Sequence, residues 1–92
     1  MKTLITKYEQ MMKSCGKDLK VILAEKMRGE FDEGRYLFLS ETNNEWIIHP
    51  AVLMDNGQVS TGNGTYKFKI GKKNMVHGYS YDEIKEIFLE RL

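Results

Sequence analysis

The chain has 92 residues, a net charge of +1 from 14 Lys and Arg against 13 Asp and Glu, and 41% hydrophobic residues. That length suits a single domain over residues 1–92, with stability on the order of 5–10 kcal/mol and little apolar surface to spare for an enclosed substrate cavity. The charge balance excludes a global field steering the molecule to nucleic acid or an anionic membrane, and the single cysteine, Cys15, excludes an internal disulfide and points to a reducing, cytoplasmic setting.

Leu4, Ile5, Tyr8, Met11, Met12 and Cys15 form one helical stripe, which predicts an N-terminal helix to about Cys15 with Gly16 as its stop. Lys2, Lys7, Glu9, Gln10 and Lys13 make the opposite face polar, so the segment reads as neither a signal peptide nor a membrane span. Asp18 to Arg28 fits two patterns. Val21-Ile22-Leu23 reads as a buried strand, while Leu19, Ile22, Leu23 and Met27 fit a short helix with Asp18 as N-cap. Strand is favoured because the clear strand Tyr36–Ser40, beyond the turn-rich Arg28-Gly-Glu-Phe-Asp-Glu-Gly34, needs a hairpin partner.

From Tyr36 onward, turn signals at Glu41-Thr-Asn-Asn44, Asp55-Asn-Gly57 and Thr61-Gly-Asn-Gly-Thr65 divide short apolar runs, the mark of a β-meander. Its strands are expected near Tyr36–Ser40, Glu45–His49, Val52–Met54, Gln58–Ser60 and Thr65–Ile70. Pro50 is expected to bend or bulge the chain at a sheet edge, and Thr61–Thr65 to form a hairpin turn. Ser80 with Glu83 is a capping box that opens a C-terminal helix with Ile84, Ile87 and Phe88 on its inner face. The pattern predicts an α+β fold: N-terminal helix, antiparallel meander of about five strands, C-terminal helix, two layers with both helices on one sheet face.

Two surfaces carry possible binding chemistry. In Thr65–Ile70 alternation sends Tyr66, Phe68 and Ile70 to one face and Lys67 and Lys69 to the other, with Lys72 and Lys73 just beyond. These lysines could hold a phosphate backbone or an acidic partner, although the same aromatics cannot stack bases from the opposite face; a solvated face that discourages edge pairing is the plainer alternative. The succession Trp46-Ile47-Ile48 sends large apolar side chains to both faces. If both helices share one face, Trp46 and Ile48, extended by Val52 and Met54, form an open patch suited to a protein partner; the alternative is a sheet that buries both faces.

Enzymatic signals are weak. His49 and His77 stand 28 residues apart with no metal-ligand spacing, so no metal or cofactor is expected. His77 with Tyr79 or Lys73 is the only arrangement that suggests a small nuclease or hydrolase. Glu30, Asp32 and Glu33 lack calcium-loop spacing, and the Thr61–Thr65 glycines lie between strands rather than before a helix, where a phosphate loop needs them. Few Ala and Pro with abundant Lys, Glu, Asn, Tyr and Met resembles the composition of small phage or mobile-element proteins. The expected function is a non-enzymatic, cytoplasmic binding module, acting by protein–protein contact as a homodimer or as a regulator or inhibitor. Nucleic-acid binding through Lys67, Lys69, Lys72 and Lys73 is the alternative.

Overall fold

The computed structural model describes residues 2–29, 34–61, 66–70 and 78–92, with backbone only at Thr61, Tyr66 and Lys69. Its elements are α1 (Lys2–Ser14), β1 (Lys20–Lys26), β2 (Arg35–Glu41), β3 (Glu45–Leu53), β4 (Val59–Thr61), β5 (Tyr66–Lys69) and α2 (Tyr81–Glu90). This is the α+β order that the sequence predicts. Gly16, at φ +86°, ends α1: its N–H reaches the Lys13 carbonyl and that of Lys17 reaches Met12, so two carbonyls of the last turn find donors. At α2, Ser80 Oγ accepts from the Glu83 N–H while Glu83 Oε1 accepts from the Ser80 N–H, the reciprocal capping box.

Residues 20–26 are strand, because pairing with β2 places Leu23 opposite Leu39 and Ala24 opposite Phe38. That pairing overrides the helix preference of Ala24, Glu25 and Lys26. A register shift between Val21 and Leu23 leaves Ile22 as a bulge, and Glu9 of α1 accepts the Val21 N–H at 3.0 Å. One end of this edge strand is thereby blunted against further pairing.

Pro50 does not break or bend the chain out of the sheet. β3 runs unbroken from Glu45 to Leu53, pairs with β2 from Trp46 through Pro50 to Val52, and carries β4 and β5 in succession on its other side. The Leu53 N–H bonds Gly34 on the β2 side and the Met54 N–H bonds Gln58 on the β4 side. Alternation therefore turns the donor that Pro50 lacks toward β4 and β5. β4 pairing ends at Ala51 opposite Thr61, and β5 pairing begins at Ile48 opposite Tyr66, so the missing donor falls between the two. Because β4 and β5 both run antiparallel to β3, they point the same way. That direction does not suit β4 and β5 as the two arms of one hairpin; the turn expected at Thr61–Thr65 itself falls on residues 62–65, outside the described ones.

The helices lie on opposite faces, which corrects the two-layer expectation. α1 packs Leu4, Tyr8 and Met12 onto Phe38, Ile47 and Ala51, while α2 packs Ile84 and Phe88 onto Leu37, Leu39, Trp46 and Ile48. The reason is local: Tyr36-Leu-Phe-Leu39 and Trp46-Ile-Ile48 are apolar on both faces of the two central strands, so each face needs a cover. Phe68 and Ile70 join the α2 layer, as their alternation predicts.

Candidate functional site

The covered faces remove part of the expected patch. Trp46 is 6% and Ile48 0% exposed, so neither is available to a partner. Trp46 donates its Nε1–H to the Tyr79 carbonyl at 2.9 Å, and its ring lies 6.1 Å from that of Tyr81, so the start of α2 and the residue two before it close over it. Val52 is half-buried, and Met54, at 46%, is exposed. The structure adds Leu53, exposed at 39%. Of the exposed large apolar side chains among the described residues, Leu53 and Met54 are at the end of β3 rather than its middle, and Tyr81 and Leu89 are on α2.

That end is a tight hairpin. The Gly57 N–H bonds the Met54 carbonyl at 2.9 Å, the Met54 N–H bonds Gln58 at 2.8 Å, and Asn56 Oδ1 accepts the Gln58 N–H at 3.0 Å. Gly57 sits at φ +81°, the conformation this three-residue loop needs and a side chain resists. Lys7 of α1 donates to the Gly57 carbonyl and ties the loop to the helix. Hollows flank the tip. One of about 680 Å³ is lined by Lys26, Gly34, Val52, Leu53, Met54 and Asp55, and one of about 320 Å³ by Thr3, Leu4, Lys7, Tyr36, Leu53 and Gly57. A third, of about 380 Å³, continues along α1 past Met11 to Val59.

The lysines are only partly brought together. Lys67 is exposed opposite Ile47 and Lys69 stands opposite Glu45, so both occupy positions on the α1 face, away from Phe68. Lys67 lies beside Lys17, whose pKa it lowers by direct contact and by like-charge repulsion. A groove of about 700 Å³ near Lys17 also holds Lys20, but Asp18, Glu41 and Glu45 line it too. Lys72, Lys73 and His77 lie outside the described residues, as do Glu30, Asp32 and Glu33.

A polar cluster that sequence patterning did not single out sits beneath α1. Tyr8 Oη and His49 Nδ1 are 2.9 Å apart in a buried hydrogen bond, and the Tyr8 ring stacks on Phe38 at 4.2 Å between centroids. Burial pushes the Tyr8 pKa far up, partly offset by the nearby Ser40 hydroxyl, which is fully enclosed and makes no hydrogen bond of ordinary geometry. None of the hollows described above is lined by Tyr8, Ser40 or His49. The cluster works as a locating contact between α1 and the sheet. Its signal in the sequence was His49 falling in phase with Ile47 and Ala51.

Among the described residues, no helix is long and apolar enough to cross a membrane, and no three His, Cys, Asp or Glu side chains are grouped to hold a metal ion. Comparison with known proteins finds no matching family, curated protein or solved structure.

Proposed function

We propose that the protein is a non-enzymatic binding module that docks another protein through the tip of the β3–β4 hairpin. The observation that carries this reading is the exposure of Leu53 at the end of β3 and of Met54 just beyond it, beside two hollows, while Trp46, Ile47 and Ile48 of the same strand are buried. The tip alone is a weak anchor. Fully burying a Leu or Met from full exposure contributes about 1.5–3 kcal/mol each, and both are already more than half covered. A specific interface covers about 800 Å² per partner, roughly an eighth of the 6408 Å² surface. The contact therefore extends over the flanking hollows, with Tyr36 and Leu4 as the apolar side and Lys7 and Lys26 as the rim.

On this reading the protein is a cytosolic regulator or inhibitor of a larger protein, of the small kind that phages and mobile elements encode. The exposed thiol of Cys15 suits a reducing compartment. The test is a Leu53→Asp/Met54→Asp variant that keeps the wild-type unfolding midpoint. Self-association in sedimentation, or a partner co-purified with the wild type, should weaken at least tenfold in the variant. A wild type that stays monomeric and retains no partner in the cells that carry it overturns the reading.

Phosphate-backbone contact through Lys67 and Lys69 is a second reading, favoured by the position of Lys67 beside Lys17. Charge reversal at Lys17 and Lys67 should then abolish retention on single-stranded nucleic acid at low salt. Unchanged retention rejects it.

A further inference from the structure

We draw no further inference here: the strongest candidate beyond the hairpin tip, the buried Tyr8–His49–Ser40 cluster beneath α1, is reached by none of the described hollows, and nothing in the structure points to a ligand for it.

Discussion

The two ends of β3 carry similar side chains and meet opposite fates. Trp46, Ile47 and Ile48 are buried beneath the two helices, which cover opposite faces, whereas Val52, Leu53 and Met54 belong to neither core cluster, although α1 touches the hairpin through Lys7. Hydrophobicity along a strand therefore does not locate a binding surface. What decides is whether a covering element packs on that register, and Met54 joins neither core cluster. The first end is core, and the second is the surface proposed above to meet a partner.

The comparison breaks most visibly in stability. Ile48→Ala should cost about 2–5 kcal/mol in urea unfolding, while Met54→Ala should stay within about 0.5 kcal/mol; equal losses would mean that the two ends are not different. Trp46→Phe comes next, at about 1–3 kcal/mol, because the partly buried Tyr79 carbonyl loses its donor.

Tyr8→Phe removes the contact with His49 and should cost about 1–2 kcal/mol at neutral pH. It also has a pH signature. Below about pH 10 both folded and unfolded Tyr8 hold the proton; above it the unfolded hydroxyl ionises while the folded one, its pKa raised by burial, does not. Stability contributed by the neutral hydroxyl is thus present below pH 10 and lost as pH rises beyond it, and Tyr8→Phe should flatten that alkaline decline. An unchanged alkaline limb would place Tyr8 in contact with water. Among the core substitutions the smallest effect is expected for Ser40→Ala, within about 1 kcal/mol of wild type, because it deletes a buried hydroxyl that lacks a good partner.

The sequence made both helices and their ends legible, since the α1 stripe, Gly16 and the Ser80–Glu83 box are local signals that tertiary contacts had no reason to overrule. The strands were legible as segments, but Pro50 misled. A proline is incompatible with a central strand only where its absent donor is needed, and here it points to the gap between β4 and β5, which depends on pairings remote in sequence. The placement of Trp46 and Ile48 was missed for a related reason. Which face α2 covers is a property of the assembled sheet, although the unbroken apolar runs at 36–39 and 46–48 already pointed to a sheet buried on both sides. Of the candidate site, Met54 and Val52 are named from sequence, while Leu53 emerges only from its exposure in the folded chain.

The most direct test is a photo-reactive amino acid placed at Met54 and, as a control, at Leu89, which is 50% exposed on the outer side of α2. Irradiation in the cells that carry the protein should give a discrete protein adduct from position 54 and none from position 89. Adducts of equal yield from both positions, or none from position 54, would contradict docking at the hairpin tip.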